Sequence, residues 1–225
     1  MSTMLPVPVR VLVACLVVVL ASFSSPASAQ DPPPPIPWFV VDLHASIPNF
    51  PSDDVDLANS RGMNPAELPG RGLGTQIGVH LYPLKSRIVT LGLGGELVVA
   101  RARQTPVDGA ADSSGKLLRA SEERITSLSP QLSLNFGNGS GWSYLTAGLG
   151  ATTLYLAPSD MVDYPPNSDR LKTFNWGGGA RWFIKPHLAF SFDVRFYNIS
   201  PGFAYIFDAS PRMRLLIIGA GISIK

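Results

Sequence analysis

The sequence predicts an all-β fold: an eight-stranded antiparallel up-and-down barrel that crosses a membrane. Three observations point to it. Between Trp176 and Phe196, one parity carries Trp176, Gly178, Ala180, Trp182, Ile184, Phe190, Phe192, Val194 and Phe196, and the other carries Gly177, Gly179, Arg181, Ser191, Asp193 and Arg195. A period of two marks a strand with two unlike faces. The polar face is too small-grained for a solvated exterior and suits a narrow enclosed space, while the bulky face suits lipid. Second, the connectors between alternating segments are long and short in turn. Third, charged residues make up only 15% of the chain, against about a quarter in ordinary soluble domains.

The elements follow in order. Residues 1–29 read as a signal peptide: Arg10, the apolar run Val11–Phe23, then Ala27-Ser28-Ala29, with the scissile bond between Ala29 and Gln30. The run holds 13 residues, short of the roughly 20 that a helix needs to cross a bilayer. Leu12-Val13-Ala14-Cys15 resembles a lipobox, but most of the apolar stretch follows Cys15 instead of preceding it. Cys15 is the only cysteine, so the exported chain can form no disulfide. Residues 30–36 form a proline-rich periplasmic N-terminal segment, expected to be extended and unpaired. The barrel domain takes residues 37–225.

Strands are expected at about 37–47, 71–83, 88–103, 119–136, 142–156, 170–184, 188–198 and 212–225. Most exceed the five or six residues usual in soluble proteins and suit a tilted transmembrane strand of about 9 to 11. The connectors after strands one, three, five and seven are long; "LKS", "GNGSG" and "KPH" after strands two, four and six are tight. Turns at one end and loops at the other put both chain ends on the turn side. Phe174 and Trp182 would stand roughly 20 Å apart along the membrane normal, at the depth of two aromatic girdles. Gly92, Gly94, Gly148, Gly150, Gly177, Gly179, Gly219 and Gly221 would mostly face the lumen, where eight strands leave little room.

A signal peptide, eight strands and alternating loops and turns together resemble the small bacterial outer-membrane β-barrels of the OmpA, OmpX and opacity-protein type. The resemblance covers residues 37–225 and is architectural. It implies residence in the bacterial outer membrane, contact with outer-membrane lipid, and insertion by the barrel-assembly machinery. Such chains commonly end in an aromatic residue, whereas this one ends "GAGISIK", with Ile222 and Ile224 expected to face lipid. A monomer is expected, with a structural or surface-interaction role carried by the outer loops, whose ligand the sequence does not name. The alternative is a channel for ions or small solutes. A lipid-modifying enzyme and a soluble lipocalin-like barrel fit less well.

Parity assigns Asp42, His44, Gln76, His80, Glu96, Gln131, Asn175, Arg181, Asp193 and Arg195 to the lumen. Glu96 and Arg195 lie at similar depth on opposite walls and are expected to meet, with Asp193 and Arg181 as diagonal neighbours in the same charge network. That set is expected to fill the barrel. No catalytic, cofactor or metal site is expected. His44 and His80 point inward, away from any lipid-side serine, and His187 falls in a turn. "GLGTQIG" at 72–78 precedes no helix and is no nucleotide loop. "DDVDLANSRG" at 53–62 lacks the alternation of a calcium loop and reads as a solvated loop. The formal charge of +2, with cations scattered along the chain, excludes nucleic acid as a partner.

Overall fold

The computed structural model describes residues 33–86, 88–159, 170–202 and 211–225. The signal segment, with Cys15, Ala29 and Gln30, lies outside the described residues. Eight strands, β1 (Phe39–Asn49), β2 (Gly72–Lys85), β3 (Thr90–Gln104), β4 (Ser121–Asn138), β5 (Gly141–Pro158), β6 (Arg170–Lys185), β7 (Leu188–Ile199) and β8 (Met213–Ile224), differ from the expected bounds by at most two residues. Each pairs antiparallel with its neighbour, and β8 closes on β1, so no sheet edge remains.

The alternation read from the sequence becomes inside and outside. In β7, Ala189, Ser191, Asp193, Arg195 and Tyr197 are buried, while Phe190, Phe192 and Phe196 lie on the exterior. The outer wall is apolar: Leu149 is 71% exposed and Leu132 64%. Trp176 stacks on Phe196 and Trp182 on Phe190, with ring centres 4.6 and 6.2 Å apart. A contiguous belt of this kind is a membrane-facing surface, because water would penalise it heavily. Among the tight turns, the β2–β3 hairpin carries a register shift between Leu81 and Leu84, where Pro83 has no N–H for the ladder.

The lumen is layered. Its polar middle is the one read from parity, but both ends are apolar. At the loop end, Val98, Ala100, Ala102, Ile125, Leu154, Leu156, Leu215 and Ile217 point inward and pack with Phe50, Leu57, Ala58, Met63 and Leu68 of the first loop. At the turn end, Ile36, Val40, Tyr82, Trp142 and Tyr144 form a second cluster. A lumen lined throughout by polar groups is therefore corrected to a polar core between two apolar plugs.

The first loop is also no solvated loop. Asp54 caps α1 (Val55–Asn59), accepting a bond from the Leu57 N–H at 2.9 Å, and α1 buries Leu57 and Ala58. A 3-10 turn follows at Pro65–Glu67, closed by a capping box between Asn64 and Glu67. Apolar residues spaced among the acidic ones turn this segment into a lid.

The proline-rich segment has a defined position where it is described. The Gly139 N–H, in the β4–β5 turn, donates to the Pro34 carbonyl at 2.6 Å. Lys85 Nζ donates to the Ile36 carbonyl at 2.6 Å. β1 and the β4–β5 turn stand on opposite sides of the cylinder, so residues 34–38 cross the turn-side mouth.

Candidate functional site in the barrel lumen

β1, β3, β6 and β7 each deliver charge to the middle layer, because the closed cylinder turns every inward position toward one axis. Arg181 from β6 reaches Asp42 on β1 with both arms of its fork, Nε to Oδ1 at 2.8 Å and Nη2 to Oδ2 at 2.6 Å. The Ser223 hydroxyl also donates to Asp42, and His80 Nδ1 stands 3.7 Å from it. The Arg181 guanidinium lies 4.0 Å from the centre of the Tyr144 ring and 5.5 Å from that of Trp142. The weakly hydrated planar cation is well suited to such stacking.

A second group sits loopward. Arg195 Nε donates to Asp193 Oδ1 at 2.7 Å and lies 2.8 Å from Glu96 Oε2. Its Nη1 donates to the Thr146 hydroxyl at 2.8 Å. The Tyr197 hydroxyl donates to Glu96 at 2.6 Å, and that of Tyr144 to Asp193 at 2.7 Å. All four of Glu96, Arg181, Asp193 and Arg195 are buried. The groups around them are polar and numerous, as buried charge requires.

One expected neighbour pair is rearranged. The register puts Gly179 opposite Asp193 and Arg181 opposite Ser191, which makes Arg181 and Asp193 diagonal neighbours. Tyr144 and Arg195 already occupy the Asp193 carboxylate, however, and Arg181 crosses to Asp42 instead. Asp42 as a partner, and the tyrosines that bridge the groups, were missed as members of the charge network. Tyr144 and Tyr197 lie on the inward parity of their strands, so the same counting would have found them.

The three histidines take partners inside the lumen or at the turn side. His44 Nε2 lies 2.7 Å from Ser191 Oγ, both buried inside the barrel. His80 Nε2 lies 3.2 Å from Gln131 Oε1, and His187 Nδ1 is 3.2 Å from the Lys225 carbonyl at the turn side. Among the described residues, no group of three or more His, Cys, Asp or Glu is placed to hold a metal ion.

Above the lumen, Glu67 clasps the lid. Its Oε1 accepts from the Arg119 backbone N–H at 2.7 Å and from Arg119 Nε at 3.2 Å, and its Oε2 accepts from the Asn64 N–H at 3.0 Å. Burial works against the charge, but the bonds from Arg119 and Asn64 outweigh it and hold the Glu67 carboxyl below the usual glutamate range. The Ser121 hydroxyl donates to the Glu67 carbonyl, tying the lid to the first residue of β4.

No family model and no curated protein matches the sequence. Solved structures align over most of the chain at low identity. Neisserial surface protein A is 12% identical with a TM-score of 0.49, covering 84% of this chain and 97% of its own. Ail, the attachment invasion locus protein of Yersinia pestis, gives 11% and 0.49, covering 83% and 97%. The outer membrane protein OprG of Pseudomonas aeruginosa gives 12% and 0.45, covering 83% and 94%.

Proposed function

We propose that this chain is an outer-membrane β-barrel that does not conduct, works as a monomer without catalysis, and serves the cell surface through its outer loops. The observation that carries this reading is the stacking of three seals in one lumen. The lid residues Phe50, Leu57, Met63 and Leu68 pack into the loop end, two arginine–carboxylate groups fill the middle, and Trp142 and Tyr82 close the turn end beneath the crossing segment. An ion would have to cross two apolar layers as well as the polar one. The cylinder then acts as a rigid base, and the surfaces left to meet partners are the loops.

The test is electrical. In planar bilayers the wild-type barrel is expected to show no steady current, and a variant that lacks both the lid (residues 52–69 replaced by a short turn) and residues 31–37 and also carries Trp142→Ala, Asp42→Ala, Arg181→Ala, Glu96→Ala, Asp193→Ala and Arg195→Ala, so that all three seals are opened, is expected to conduct. Large, steady conductance by the wild type would overturn the sealed-barrel reading in favour of a channel.

A further inference from the structure

Cations that look scattered along the chain are gathered by the fold. On the outward face of β3 the row runs Leu91, Leu93, Gly95, Leu97, Val99 and then Arg101 and Arg103. The change from apolar to charged recurs at the loop end of β4 between Leu128 and Arg124, across Thr126, of β6 between Phe174 and Lys172, and of β8 between Leu216 and Arg214. Among the described strands, Glu122 is the only acidic residue at an outward position. It holds three arginines together: Arg101 Nη2 donates to it at 2.7 Å, Arg103 Nε at 3.3 Å, and Arg124 Nε also reaches it. Arg71, just before β2, lines the same groove as Arg101 and Arg103, so three arginines on one carboxylate and a fourth nearby leave a local excess of three positive charges.

Beside Glu122 runs a groove of about 620 Å³, lined by Ile47, Leu73 and Arg101 and, toward the loops, by Arg71 and Arg103. Leu73 is 74% exposed and pairs directly with Arg101 across β2 and β3. Apolar Leu73 and cationic Arg101 thus lie side by side on the outer wall, with Arg71 and Arg103 two residues further toward the loops. Guanidinium forks match the oxygens of a phosphate, two bonds at a time. One carboxylate that aligns three forks without neutralising them leaves N–H groups for a ligand.

We propose that this groove binds the phosphate headgroup of a lipid in the loop-side leaflet, its acyl chain lying along Leu73 and Ile47. The proposal rests on the membrane-facing reading above. A dianionic phosphate monoester matches the local charge best, so phosphatidic acid is the probe.

The experiment uses the full-length protein reconstituted in phosphatidylcholine vesicles doped with phosphatidic acid, then extracted gently for native mass spectrometry to count retained lipid. Wild type is expected to retain phosphatidic acid at least tenfold over phosphatidylcholine. R101Q/R103Q should fall to the phosphatidylcholine level, and K185Q, at the opposite rim, should behave as wild type. Should R101Q/R103Q fail to fold, R71Q decides alone, with at least a several-fold loss expected. Unchanged retention in the arginine variants, or an equal loss in K185Q, overturns the site. Displacement by millimolar glycerol 3-phosphate would make a soluble phosphate the ligand and overturn the lipid assignment. A chain that fails to insert into vesicles, and so migrates alike on heated and unheated gels, would defeat the membrane reading instead.

Discussion

Arg195 and Glu96 stand on β7 and β3, opposite walls of the barrel, yet Arg195 Nε lies 2.8 Å from Glu96 Oε2. Asp193 shares the same guanidinium at 2.7 Å. Arg195→Leu leaves two buried carboxylates without their cation and is expected to cost about 3 to 5 kcal/mol. Glu96→Gln leaves the Arg195–Asp193 pair in place and should cost clearly less. Urea unfolding in micelles measures both; equal losses would show that Glu96 and Asp193 are not sharing one cation unequally.

Face assignment is tested on β7. Phe192 is 39% exposed and Ser191 is fully buried beside His44. Phe192→Arg is expected to cost roughly 2 to 4 kcal/mol, as charge does on the lipid face near mid-bilayer. Spin labels at 190, 191, 192 and 193 should alternate between lipid-soluble and water-soluble relaxation agents. A smooth gradient would refute the assignment.

Two glycines of β8 differ in how far barrel closure depends on their missing side chains. A Cβ on Gly219 would come 2.1 Å from Gln76 Oε1, the end of a flexible side chain that can move aside. A Cβ on Gly221 would come 2.0 Å from the Leu43 carbonyl oxygen and 2.8 Å from His44 Cα, backbone that cannot. Gly219→Ala is therefore expected to cost about 1 to 3 kcal/mol as ordinary overpacking, and Gly221→Ala to cost more and weaken the β1–β8 seam. Hydrogen exchange at Leu43 and His44 reads the seam directly.

The lid should respond to acid. Because the folded protein holds the Glu67 carboxyl below the usual range, its contribution is fully present above the unfolded value, near pH 4.3, and is lost as pH falls through the lower folded value. The protection factors of residues 50–71, corrected for the intrinsic pH dependence of amide exchange, should then fall as pH drops through that folded value while the barrel strands stay protected. In Glu67→Gln the lid's protection factors should be low throughout. Unchanged protection of the wild-type lid down to the pH at which Glu67 is protonated would remove Glu67 as the clasp.

Strands, register and inward-facing charges were legible because a barrel writes one bit per residue, and Glu96 and Arg195 could be placed by counting from the turns at either end. What parity cannot carry is length along the axis. Val98 and Ala100 share a parity with Glu96, yet belong to an apolar layer that is visible only once Ile125, Leu154 and Leu215 are brought level with them. The same limit hid the choice of Arg181 for Asp42, which depends on Tyr144 and Arg195 having taken Asp193. The lid was missed because its helix is too short for a 3.6-residue period to show, and only the Asp54 cap marks its start. The cationic rim was invisible because Arg101, Arg124, Lys172 and Arg214 are neighbours only around a circumference.

A thin-walled ring is weakest against being squashed into an ellipse, and a bar across its diameter removes that mode of bending. Residues 34–38 make such a bar at the turn-side mouth, running from β1 to Gly139 on the far side. Lys225, beside the β1–β8 seam, donates to the Gly139 carbonyl and lays its ammonium 3.9 Å from the Phe183 ring centre. The rim that carries the seam is thus braced to the wall opposite it. Lateral pressure from the bilayer would then be resisted at that rim by tension in a few residues of chain, leaving shape fluctuations to concentrate toward the loops.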